Sequence, residues 1–103
     1  MSDLSRILAA LADPTRRAAL QRLAYGPATA SQLAALTPSI SRPASSQHLR
    51  VLRESGLVRT TQSGRHLFYE LSGDALLLAQ EWLDVLVEQW SRAPVLDLAK
   101  EPS

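Results

Sequence analysis

Residues 41–58, SRPASSQHLRVLRESGLV, decide the fold. Ser41 is a helix-capping residue type, and Pro43 follows in the first turn, where its missing N–H costs little. Leu49 and Leu52 supply apolar spacing and Gly56 is a stop signal, so the stretch predicts a helix from Ser41 to about Ser55. At about 100° per residue, Ser45, His48, Leu49 and Leu52 share one side. Arg42, Ser46, Arg50 and Arg53 share the other, with Gln47 at the edge. Arg42 and Arg50 are about 12 Å apart along the axis, which matches the roughly 12 Å width of a DNA major groove. A short helix with a leucine edge and an arginine-and-amide edge has the shape that enters such a groove.

Upstream, Leu4, Ile7, Leu8 and Leu11 follow the i, i+3, i+4, i+7 rule and predict a short amphipathic helix over residues 3–12. Asp13-Pro14 is a cap followed by a first-position proline. It opens a second helix to about Tyr25, with Ala18, Leu20 and Leu23 among its apolar residues, that Gly26-Pro27 ends. Thr29 and Gln32 have capping-box spacing and open a third helix carrying Leu33 and Leu36. Thr37-Pro38-Ser39 reads as a turn, and Ile40 as a hydrophobic staple for the next helix. Downstream the period changes. Residues 58–61 and 65–71 predict two strands separated by Gln62-Ser63-Gly64, with Leu67, Tyr69 and Leu71 on one face. Ser72 and Asp74 then start a last helix to about Trp90 or Ser91, closed by Pro94. The expected fold is mainly helical with a small β-hairpin (α+β), in the order four helices, hairpin, helix. The third and fourth helices with the hairpin make a winged helix-turn-helix. Residues 1–93 are expected to form one domain, and 94–103 a frayed tail.

The composition limits the possible functions. At 103 residues the chain suits one domain. It has no cysteine, which removes disulfides, thiolate metal sites and thiol redox sensing, and is compatible with a reducing cytoplasm. No apolar run approaches the roughly 20 residues of a membrane span. The start, MSDLSRILAAL, lacks a basic region and cleavage pattern, so no signal peptide is expected. Net charge is +1, but it is unevenly spread. Residues 1–41 carry four basic and two acidic side chains, residues 42–66 five and one, and residues 67–103 two and seven. The segment holding the reading helix and hairpin is therefore the basic one, as a polyanion-facing surface requires.

Three stretches together resemble the ArsR/SmtB family of bacterial winged-helix repressors: LADPTRR at 11–17, SRPASSQHLRVLRESGLV at 41–58 and SGRHLFYEL at 63–71. The resemblance covers roughly residues 4–90. It implies a homodimer that binds an operator and represses transcription, with the first and last helices building the dimer interface. The chain departs from the family pattern in two places. Ser45 stands where an apolar branched residue is usual, so its hydroxyl needs a backbone partner or packing is lost. The family's metal-binding cysteines and histidines are missing, which questions the sensing half and leaves the DNA-binding half intact.

On this reading Ser46, Gln47 and Arg50 meet base edges, while Ser41 and Arg42 meet phosphate at the helix start. Arg53 shares their face. Ser45 and His48, on the leucine side, either pack or reach DNA and stay among the candidates. Arg65 reaches the minor groove or phosphate from the wing, with His66 beside it and Arg59 a further phosphate candidate. Arg16 and Arg17 either touch phosphate or form a solvated face. The last helix has an apolar sector of roughly 200°, twice what a one-sided helix needs. Ala79, Trp82, Leu83, Leu86 and Trp90 are its centre, widened by Leu76, Leu78, Val85 and Val87. With Leu4, Ile7, Leu8 and Leu11 it is a candidate self-association surface, although Trp82 fits an intradomain core equally well. Glu81, Asp84 and Glu88 read as a solvated face.

With only His48 and His66 available, no metal and no cofactor is expected. The partners expected are double-stranded DNA, a second copy of the chain and an unidentified small-molecule effector; no membrane partner is expected. An enzyme is disfavoured, because no nucleophile–base pair, phosphate loop or metal spacing is present. The competing reading is a winged-helix module that binds another protein through its last helix.

Overall fold

The computed structural model describes residues 3–94. Its elements are α1 (Asp3–Leu11), α2 (Pro14–Leu23), β1 (Ala28–Thr29), α3 (Ala30–Ala34), α4 (Arg42–Glu54), β2 (Val58–Ser63), β3 (His66–Leu71) and α5 (Gly73–Arg92). The mainly helical class and the helix-turn-helix followed by a wing agree with the sequence reading. The expected tail lies outside the described residues beyond Pro94.

The helix boundaries follow from their caps. Asp13 accepts a hydrogen bond from the Arg16 N–H at 3.0 Å to start α2. Thr29 and Gln32 form a reciprocal capping box at the start of α3, at 3.2 and 2.9 Å. The Ser41 hydroxyl accepts from the Ala44 N–H at 3.2 Å to start α4. Gly56, with φ of 80°, ends α4 in a Schellman arrangement. The Leu57 N–H donates to the Leu52 carbonyl and the Gly56 N–H to the Arg53 carbonyl, at 3.1 and 3.0 Å. Leu52 and Leu57, which that turn brings together in sequence, are both fully buried. Ser72 precedes α5 without a side-chain cap; its N–H instead donates to the Leu57 carbonyl at 2.9 Å.

The sheet corrects the expectation of a two-stranded hairpin. It has three antiparallel strands in the order β1-β3-β2, with Ala28 opposite Tyr69 and Thr29 opposite Phe68. β1 is only two residues long, too short for an alternating pattern to declare itself, and Thr29 serves both the strand and the cap of α3. The wing turn also shifts. β2 continues to Ser63, which pairs with His66, so the connection is Gly64-Arg65 and Arg65 lies in the turn rather than in the strand. Gly64, with φ of 60°, supplies the left-handed residue that such a two-residue connection needs. α3 ends at Ala34, leaving Leu36 outside the helix and exposed. The staple expected of Ile40 has Ser45 as its partner position, so it lacks an apolar contact there.

The core gathers Ile7 and Ala10 of α1, Ala19, Leu20 and Leu23 of α2, Leu33 of α3 and Leu49 and Leu52 of α4. Ala28, Val58 and Tyr69 of the sheet, Leu57, and Ala75 and Ala79 of α5 complete it. Two expected interface residues, Ile7 and Ala79, thus belong to the subunit's own core, at 2% and 4% exposure. Leu4, Leu8 and Leu11 are half-buried.

Candidate nucleic-acid interface

Burial of Leu49 and Leu52 orients α4, because turning either to water would forfeit about 1.5–3 kcal/mol. With the leucine side fixed inward, Ser41, Arg42, Ser46, Gln47, Arg50 and Arg53 are all exposed. Arg53 differs in its surroundings. It lines a cleft with Asp3 of α1, Glu54 of α4 and Ser72 and Asp74 at the start of α5, and shares a second cleft with Arg50 and Glu54, so acidic neighbours gather at the carboxyl end of α4. The exposed groups from Arg42 to Arg50 form the basic face that the sequence reading assigns to DNA, with Arg50 nearest the acidic end. Ser45 is half-buried against α3, where Ala30, Ser31 and Ala34 leave a cleft of about 350 Å³ shared with Arg42, Ser46 and Leu49. Small residues on α3 thus leave room for the Ser45 hydroxyl, which stays open to water.

His48 packs inward among polar partners. Its Nδ1 lies 3.2 Å from Arg16 Nη1 and 3.8 Å from Asp13 Oδ2. A guanidinium can only donate, so Nδ1 is the acceptor. Arg16 Nε donates to the Ala10 carbonyl at 2.8 Å and Nη2 to the Ala9 carbonyl at 3.1 Å. Arg17 Nη1 donates to the Leu11 carbonyl at 2.8 Å. Both satisfy open carbonyls at the end of α1, Arg16 half-buried and Arg17 still exposed, a role that the sequence alternatives of phosphate contact or solvated face did not name. The signal was in the spacing. Only Ala12 and Asp13 separate α1 from α2, so an arginine in the first turn of α2 reaches back to the preceding helix. The Asp13 carboxyl is held below its ordinary value, chiefly by the Arg16 N–H it accepts. Nearby His48 and Arg16 act in the same direction, while partial desolvation opposes them.

On the wing, Arg59 stands opposite Glu70 across the β2–β3 ladder. Its Nε donates to Glu70 Oε1 at 3.2 Å, and the Thr61 hydroxyl donates to the same oxygen at 2.9 Å. That pairing offsets the charge proposed for phosphate, so Arg59 is the weakest of the wing candidates. Arg65 sits in the exposed turn with no ion pair among the described residues, and the exposed His66 ring stacks obliquely on Phe68 at 6.1 Å. Leu67 is exposed near the wing tip, unlike Tyr69 and Leu71 of the same strand face, because the helical layer does not reach that far.

α5 exposes a different kind of surface. Ala75 and Ala79 are buried, and the same stripe continues into Trp82, Leu86 and Trp90, which are 43%, 43% and 77% exposed. Leu83, Val85 and Val87 flank it, also exposed. Among the described residues no group of three His, Cys, Asp or Glu side chains is placed to hold a metal ion, and no helix is long and apolar enough to cross a membrane.

A reading helix held outward, a capped turn before it and a paired wing behind it are the parts of a DNA-binding winged helix. Residues 11–61 match the family model described as a helix-turn-helix domain. The HTH-type transcriptional regulator Rv2034 of Mycobacterium tuberculosis is 44% identical over 84 residues, which are 82% of this chain and 75% of that protein. The transcriptional repressor SdpR of Bacillus subtilis is 30% identical over 78% of this chain and 88% of its own length. Among solved structures, the ArsR family transcriptional regulator RHA00566 superposes with a TM-score of 0.80 at 37% identity, covering 89% of this chain and 94% of that one. With the fold, the reading helix and these relatives in agreement, the chain belongs to the ArsR family of winged helix-turn-helix transcriptional regulators.

Proposed function

We infer that this regulator is a sequence-specific repressor that binds an inverted-repeat operator as a homodimer. The observation that carries the reading is the division of α4, with leucines buried and an arginine, serine and glutamine face turned to solvent. Each subunit inserts that face into a major groove. Ser46, Gln47 and Arg50 read base edges, and Ser41 and Arg42 at the helix start hold phosphate. Arg65 at the wing turn contacts flanking sugar-phosphate or the minor groove. The dimer is supported by α5, whose apolar stripe outruns the subunit's core. A contiguous uncovered patch of that kind on a small domain marks an interface. Trp82, Leu83, Leu86 and Trp90 are its contact residues, with Leu4, Leu8 and Leu11 at its edge. Repression rather than activation is supported by the named activity of the Bacillus subtilis relative. Binding to chromosomal DNA places the protein in the cytoplasm, and the reading gives it no catalytic step.

The same α5 surface favours one competitor, a module that docks another protein and never binds DNA. Selection with the full chain from a pool of randomised duplexes separates the two. The repressor reading expects enrichment of a palindrome whose half-sites are about 34 Å apart, one helical turn, together with a footprint upstream of the chain's own gene. A pool that returns no common sequence sinks it.

A further inference from the structure

Arg16 is the one side chain in the described residues that hydrogen-bonds both the end of α1 and a side chain of α4. α1 packs on α5, the helix whose uncovered stripe joins the two subunits of the inferred dimer. α4 carries the reading face. On one edge the guanidinium grips two carbonyls, Ala9 and Ala10; on the other it grips His48, which is flanked in sequence by Gln47 and Leu49. Around this contact Asp13 faces His48 from the start of α2, and Arg6 of α1 and Glu54 of α4 line the adjoining groove of about 650 Å³. That groove leaves the α1–α4 seam loosely filled, so apolar packing alone does not fix the angle between the two helices there. A planar group with donors in fixed directions does fix it.

We propose that Arg16 is a positioning residue for operator recognition: by bracing His48 of the reading helix against the end of α1, it sets the distance between the two reading faces and so the half-site spacing the dimer prefers. This rests on the dimeric DNA-binding reading. Geometric tolerance at such a site is narrow, about 0.5 Å and 10–20°. A small rotation of α4 about the brace changes the separation of two faces that must meet successive grooves.

The test uses the full chain, the duplex recovered by selection, the same duplex with one or two base pairs inserted or removed at its centre, and a random duplex. Fluorescence anisotropy gives the affinity for each. Wild-type protein shows a sharp spacing optimum. Arg16→Ala loses about tenfold on the parent duplex, much less on the spacing variants, and nothing on the random duplex, so the optimum flattens. Because that variant also uncaps α1, a second pair leaves α1 untouched. His48→Asn puts Oδ1 where Nδ1 stands and keeps the optimum; His48→Leu removes the acceptor and flattens it. An unchanged optimum in Arg16→Ala and His48→Leu overturns the proposal, as does an equal loss on every duplex or a flattened optimum in His48→Asn. Failure of wild-type protein to select any duplex sinks the DNA-binding reading instead, before a variant is compared.

Discussion

α4 and α5 are both amphipathic, yet they meet water in opposite ways. α4 buries Leu49 and Leu52 and presents arginine, serine and glutamine on its far side, a surface stable in water without any partner. α5 buries Ala75 and Ala79, and beyond Ala79 every described residue is exposed, two tryptophans and several leucines and valines included. A helix of 20 residues is about 30 Å long, and the single-subunit core covers only its first third or so. The difference separates two tasks. On the proposed reading the polar face is kept free for a charged, hydrated ligand and the apolar face is covered by a second copy.

The most severe break is aimed at α5. Leu86→Glu puts a charge into the stripe where a second copy is expected to close over it, at a cost of several kcal/mol. Self-association should weaken by two orders of magnitude or more (about 1.4 kcal/mol per tenfold). Sedimentation at micromolar concentration should give a dimer for wild type and a monomer for the variant, with the helical circular dichroism retained because Leu86 lies outside the core. A wild-type monomer would refute the interface. On α4, Arg50→Ala removes an exposed group that makes no hydrogen bond or ion pair among the described residues. It should leave stability unchanged, cost about 1–3 kcal/mol of binding and relax preference at one base pair per half-site. Undiminished affinity would remove Arg50 from the reading face. Arg65→Ala should act more weakly and without regard to sequence, lowering the slope of log affinity against log salt by about one for each phosphate it no longer neutralises. An unaltered slope would show that the wing tip stays off the backbone.

Which parts were legible in the sequence follows from the range of each signal. The caps at Asp13, Thr29 and Ser41 and the stop at Gly56 are local, and each is where residue type and spacing put it. The solvent-facing side of α4 was legible because two leucines fix a helix's rotation. Contacts between elements were not. β1 is two residues long and is defined only by its partner β3. Arg59 looked like a free cation until the ladder set Glu70 opposite it. Ile7 and Ala79 fit a self-association stripe by period alone, since periodicity shows that a face is buried but not by which chain. Arg16 was the largest omission, because a charge at a helix start suggests solvent or phosphate, and its partners are carbonyls of another helix and an imidazole 32 residues away.

The smallest effect belongs to the junction between α1 and α2. Asp13 caps α2, and Asp13→Ala should cost about 1 kcal/mol of stability. Asp13→Asn keeps the capping oxygen and removes only the charge, so its difference from wild type isolates the electrostatic part. The carboxyl titrates lower in the folded protein than in the unfolded chain, because the charged form accepts the Arg16 N–H and lies near His48 and Arg16. The unfolded state therefore takes up protons first as pH falls. The charge contribution is complete above the ordinary carboxylate value of about 3.9 and is lost as pH drops through the lower folded value. Urea midpoints of wild type and Asp13→Asn should differ at pH 6 and draw together as pH falls below the ordinary carboxylate range. A gap that persists into acid would mean that the two side chains differ in cap geometry, and that the charge at this junction contributes nothing to holding α1, α2 and the reading helix together.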